Sequence, residues 1–78
     1  MKLLVRNLDR KFSETELKTL FESHGLVQSC TIVMDQKTGL SKGFGFVEMP
    51  KSGQAKAAMK QLNGTTVAGQ AIRVKKAV

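Results

Sequence analysis

The sequence predicts an α+β domain, a four-stranded antiparallel sheet with two helices packed on one face, and three observations carry that reading. Periodic segments follow one another in the order βαββαβ. Each helical segment has a single apolar stripe, so it can cover only one side of a sheet. The chain has 78 residues, enough for one domain over 1–78 but not for a second one or a deep catalytic cleft.

Lys2 to Arg6 is short and aliphatic, and Asn7-Leu8-Asp9-Arg10 then supplies turn formers, which marks a strand followed by a loop. Ser13-Glu14-Thr15-Glu16 has the form S-x-x-E, in which hydroxyl and carboxylate each accept from a backbone N–H that the first helical turn leaves unpaired. Leu17, Leu20 and Phe21 follow at helical spacing, and Gly25 is expected to stop the helix after His24. From Val27 to Met34 the pattern alternates, with Cys30 and Ile32 on one face and Ser29, Thr31 and Val33 on the other. Asp35 to Lys42, containing Thr38-Gly39, reads as a loop, and Gly43 to Met49 as the next strand. After Pro50, Ala55, Ala58, Met59 and Leu62 form the stripe of a second helix that ends at Asn63-Gly64. Val67-Ala68-Gly69 is a turn, and Gln70 to Lys75 is a last strand with Ile72 and Val74 inward and Ala71, Arg73 and Lys75 outward. This order is the split βαβ, or ferredoxin-like, arrangement.

Two helices leave the other face of the sheet bare, and that decides the third strand. Phe44 and Phe46 share one face of it, while Gly45, Val47 and Met49 share the other. Gly45 suits close packing beneath a helix, and Val47 and Met49 are ordinary core residues, so the phenylalanines are expected to face solvent. Leaving them wet forgoes about 1.5–3 kcal/mol of burial each, a cost that usually marks a partner. Lys2, Leu4 and Arg6, Ser29, Thr31 and Val33, and Arg73 and Lys75 are expected on the same face. Aromatic planes within a basic field suit an unpaired nucleic-acid strand, whose bases stack on the rings while its phosphates are neutralised at the rim.

Charge points the same way. Thirteen Lys and Arg against six Asp and Glu give a formal charge of +7, and all six acids lie in the first 48 residues. A surplus of this sign attracts polyanions. Cys30 is the only cysteine, so neither an intrachain disulfide nor a cysteine zinc site is available, and a reducing compartment fits. The N-terminal apolar run is broken by charge after few residues, so neither a secretory signal nor a membrane span is expected, and a soluble, cytoplasmic monomer is.

Lys42-Gly43-Phe44-Gly45-Phe46-Val47-Glu48-Met49 fits the octamer K/R-G-F/Y-G/A-F-V-x-F/Y at seven of its eight positions. With Leu3-Leu4-Val5-Arg6-Asn7-Leu8 as the matching hexamer of the first strand, the chain resembles the RNA recognition motif family from about Lys2 to its end. With neither tails nor a second module in these 78 residues, a compact stand-alone domain similar to the short single-motif proteins of bacteria is expected, with an excised domain as the alternative. The resemblance implies that Phe44 and Phe46 stack bases and that Lys42 contacts phosphate. The family usually has a third aromatic where Leu4 stands, so one stacking platform is missing, which implies weak binding with modest sequence preference. Met49 replaces the octamer's last aromatic on the core side.

The expected ligand is therefore single-stranded RNA, with single-stranded DNA an open alternative because stacking tolerates either sugar. Glu48 is the one acid expected on the face, either accepting from a base amino group or paired with a cation across the sheet. Lys51, Lys56 and Lys60 are expected on the exposed side of the second helix, where they serve solubility. His24 reads as a last-turn residue and Cys30 as a small hydrophobe. Gly39, Gly43 and Gly45 form no phosphate-loop motif, and no nucleophile with a base is apparent, so neither a cofactor, a metal nor an enzyme is expected. The competing reading is a protein-interaction module with Leu4, Val33, Phe44 and Phe46 as an apolar docking patch.

Overall fold

The computed structural model describes residues 1–77; Val78, the last residue of the expected domain, lies outside the described residues. The elements are β1 (Lys2–Arg6), α1 (Glu14–Glu22), β2 (Ser29–Met34), β3 (Ser41–Glu48), α2 (Ser52–Leu62), the short strands β4 (Thr66–Val67) and β5 (Gln70–Ala71), and β6 (Arg73–Lys76). The main sheet has the order β2-β3-β1-β6, with each neighbouring pair antiparallel.

Strand parity sorts the side chains. Leu3 and Val5 of β1, Ile32 of β2, Val47 of β3 and Val74 of β6 are buried, together with Leu17 and Phe21 from α1 and Ala55, Ala58 and Leu62 from α2. These residues form one core between the sheet and its two helices. Burying a side chain such as Phe21 contributes about 1.5–3 kcal/mol, so this layer holds the fold together. α1 opens with the expected box: Ser13 Oγ accepts from the Glu16 N–H at 3.1 Å, and Glu16 Oε1 accepts from the Ser13 N–H at 3.2 Å.

Several boundaries differ from the sequence reading, each for a local reason. α1 ends at Glu22, short of His24, because Ser23 takes the cap: its N–H donates to Thr19 O and its hydroxyl to Leu20 O. The chain then turns toward α2, where Gln54 Oε1 accepts from the Leu26 N–H at 2.9 Å. β3 begins at Ser41 rather than Gly43, since Ser41 is buried and pairs with Met34 across an ordered hairpin. In that hairpin the Asp35 N–H donates to Leu40 O, and Asp35 Oδ1 accepts from the Lys37 N–H. The expected last strand is split. Gln70 and Ala71 pair back with Thr66 and Val67 around a two-residue turn, in which Ala68 and Gly69 have φ of 52° and 81°. Positive φ at both central residues is what such a hairpin turn requires.

One further expectation needs correction. Gly45 is buried, but what presses on it is not a helix. A Cβ there would lie 2.4 Å from Thr31 O and 3.1 Å from Ile32 Cα, so the close approach is by the backbone of β2. Val33 follows Ser29 and Thr31 in β2 at the point where pairing with β3 becomes irregular. The register jumps from Ile32 opposite Gly45 to Met34 opposite Ser41, which sets Val33 alone against Lys42, Gly43 and Phe44. The surplus residues form a bulge in β3, with Gly43 at φ 85°, and Val33 is half-buried beside it. The extra residues lie in β3, so it is the alternation of β3 that is interrupted around Lys42 and Gly43.

Candidate nucleic-acid interface

Register places the expected residues with little ambiguity, because residues directly opposite one another in an antiparallel pair project to the same side. Leu4 lies opposite Phe46 on one flank and Lys75 on the other. Arg6 lies likewise between Phe44 and Arg73, Lys2 faces Glu48, and Thr31 faces Phe46 from β2. Lys2, Leu4, Arg6, Thr31, Phe44, Phe46, Glu48, Arg73 and Lys75 thus share the side without helices. Phe44 and Phe46 are half-buried among their neighbours, while Gly45 and Val47 between and beyond them are buried on the opposite side. Lys42 is exposed within the bulge, at the Phe44 end of the face.

The two rings meet edge to face, with centroids 6.4 Å apart and planes inclined at 85°. Bases stacked on them are therefore turned sharply relative to each other, which suits a splayed strand and not a continuous helical stack. Lys2 Nζ sits over the Phe46 ring at 4.7 Å from its centroid. A cation at an exposed ring is worth about 0.5–1 kcal/mol and a stacked base about 1–3 kcal/mol, so a base can displace the ammonium. Glu48 Oε2 accepts from the Ser29 hydroxyl at 3.4 Å, a long contact that leaves the carboxylate half-buried at one end of the face.

Around the rings the charge is almost all positive. Arg6 and Arg73 are direct cross-strand partners, a like-charge pair that destabilises a sheet on its own and welcomes an anion between them. An open recess of about 490 Å³ lies there, lined by Arg6, Asn63, Arg73 and Lys75 among others. A second recess of about 300 Å³ borders Phe44 and gathers Arg6, Arg10, Lys42 and Gln70.

Arg10, Asn7, Gln70 and Asn63 were not part of the sequence-level site. Arg10 arrives because the Leu8 N–H donates to Gly43 O at 2.8 Å, which ties the loop after β1 to the bulge of β3. Asn7, at φ 61°, donates through Nδ2 to Ala71 O, and Gln70 Nε2 donates back to Asn7 O at 3.1 Å. An Asn directly after a strand, able to take a left-handed turn, is a sequence signal for such a loop, but its destination is set by the fold.

Cys30 is half-buried, and its thiol donates weakly to Glu14 O at 3.6 Å. Burial, and after it the charge of Glu14, push the thiol up to about 11 despite an opposing effect of Lys18. A thiol held neutral in this way is a packing residue.

The family model for the RNA recognition motif matches residues 3–73, and the chain belongs to that family. It is 35% identical over 77 residues to the poly(U)-binding-splicing factor PUF60 of Homo sapiens, covering 99% of this chain and 14% of that protein. It is 40% identical over 73 residues to the chloroplastic 28 kDa ribonucleoprotein of Spinacia oleracea, covering 94% of this chain and 31% of that one. The chain thus spans less than a third of the length of either relative. Among solved structures, the RNA binding protein PG1 superposes with a TM-score of 0.97 at 36% identity, over 100% of this chain and 94% of that one. A Sxl-lethal protein/RNA complex superposes with a TM-score of 0.94 at 35% identity, over 99% of this chain and 46% of that one.

Proposed function

We propose that this domain binds single-stranded RNA on the helix-free face of its sheet, as a binding module and not an enzyme. Bases stack on Phe44 and Phe46, and Lys2, Arg6, Lys42, Arg73 and Lys75 neutralise phosphates around them. The observation that carries the reading is the pair of aromatic rings on the bare face with cations at the register positions beside them. Thr31 and Glu48 border the Phe46 end and offer polar contacts to base edges there. The names of two relatives, a poly(U)-binding factor and a ribonucleoprotein, and a neighbour solved with RNA support the choice of ligand. Monomeric action in the cytoplasm belongs to the same proposal.

A fluorescence anisotropy titration with short oligouridylates at two salt concentrations tests it. Binding is expected, with log affinity falling by about 0.7 per phosphate contacted for each decade of salt. The matching deoxyribose oligomers, run in parallel, report whether the sugar matters. An absence of any isotherm with RNA at low salt overturns the proposal and leaves a peptide as the occupant of the face.

A further inference from the structure

The open face ends at β6, and the charge does not. The last 30 residues hold Lys51, Lys56, Lys60, Arg73, Lys75 and Lys76 without a single acid. Lys76 pairs in register with buried Leu3, so its side chain leaves the edge strand on the helix side, opposite to Arg73 and Lys75. Asn63 Oδ1, at the end of α2, accepts from the Val74 N–H at 3.1 Å, which turns that flank of the helix toward the β6 edge. Lys56 is two turns before Asn63 on the same flank, and Lys60 is one turn after Lys56 and exposed. The recess lined by Arg6, Asn63, Arg73 and Lys75 bridges the two surfaces, since it joins sheet-face cations to the end of α2. The opposite edge of the sheet is mixed in charge, with Lys18 beside Glu14 in a recess next to Ser29 and Cys30. There Glu14 reaches β2, with Oε2 accepting from the Ile32 N–H at 3.0 Å, and Glu22 and Glu48 lie on the neighbouring elements.

We propose that a single-stranded RNA longer than the sheet face can hold leaves it over the β6 edge and runs along the flank of α2, its phosphates held by Lys56, Lys60 and Lys76. The inference rests on the RNA-binding reading and extends it. Along β6, about 3.3 Å per residue carries the chain from Val74 to Lys76, a distance that about 4 residues of helix span at 1.5 Å each. With α2 and β6 running in opposite directions, Lys76 comes level with Met59 and Lys60, and the three cations form one continuous strip. The sheet face itself takes only about two to four bases, so the strip is reached only by longer strands.

The test compares oligouridylates of four and ten nucleotides on the parent and on a Lys56→Gln/Lys60→Gln/Lys76→Gln variant. All three positions are exposed, and circular dichroism verifies the fold of the variant. The extra binding registers of a longer strand raise both proteins equally, so the difference between them isolates the strip. The variant is expected to bind the four-nucleotide RNA like the parent, within about twofold, because a strand that short does not leave the sheet. With the ten-nucleotide RNA it is expected to lose roughly ten- to hundredfold, with a salt slope shallower by about 2 for three lost phosphate contacts. If the variant keeps the parent's affinity and slope for the longer RNA, the path over α2 is wrong while the sheet-face reading stands. If the parent binds neither length, both readings fall.

Discussion

The centre of the open face and its β6 edge meet a ligand by different physics. At the centre, β1 and β3 present Leu4, Phe44 and Phe46, whose contribution comes from surface removed from water and from stacking. At the edge, Arg6, Arg73 and Lys75 stand close together without an acid opposite them, and their contribution comes from counterions released when phosphate arrives. The first kind of binding is limited in length and nearly indifferent to salt. The second is long-ranged, fast to engage and lost as salt rises. The two should therefore separate under substitution.

The largest effect is expected at the centre. Phe44→Ala and Phe46→Ala should each weaken RNA binding by about 1–3 kcal/mol in anisotropy titrations, with the salt slope unchanged and the fold intact. Parent-like affinity in both variants would sink the stacking model. Next comes the position where a stacking platform is lacking. Leu4 lies half-buried opposite Phe46, so Leu4→Phe should tighten binding by about 1 kcal/mol, again without altering the salt slope. An unchanged affinity would mean that no base passes over β1.

At the edge the signature reverses. Arg73→Gln with Lys75→Gln should lower the salt slope by about 1.4, at about 0.7 per phosphate, and at high salt the variant and the parent should converge. A loss that persisted at high salt would show these side chains reading bases instead of phosphates. The smallest effect is expected at Cys30, which belongs to neither region and serves as a control. Its thiol is pushed up to about 11 from an ordinary 9.0, so the folded state keeps a proton that the unfolded chain gives up first. The stabilisation this provides is complete below pH 9 and is lost as pH rises toward 11. Cys30→Ala should flatten the fall in thermal midpoint over that window relative to the parent, and RNA binding at neutral pH should not change.

Much of this was legible in the sequence because alternation along a strand is a strict rule. Leu4, Arg6, Phe44, Phe46, Arg73 and Lys75 reach one side by parity alone, once two helices are known to cover the other. Parity gives out where the chain stops being regular. The bulge at Lys42-Gly43-Phe44 consumes extra residues that no pattern announces. Gly45 was read correctly as a close approach, but its neighbour is the β2 backbone, a contact visible only once strand order and register are set. Arg10 and Gln70 join the site through loop hydrogen bonds between segments far apart in the chain, which local patterning does not encode. For Lys56 and Lys60 the sequence shows an exposed helix face but not which edge of the sheet it borders.

The ammonium of Lys2 above Phe46 has a consequence for the domain before any ligand arrives. Lys2 is held in place at the start of β1, where the N-terminal amine of Met1 donates to Met49 O and the Met49 N–H donates to Met1 O. The same side chain can thus serve two states: in the empty protein its ammonium covers one face of an otherwise bare ring. Once a nucleobase takes its place, the displaced cation is already within reach of the backbone that the base brings with it.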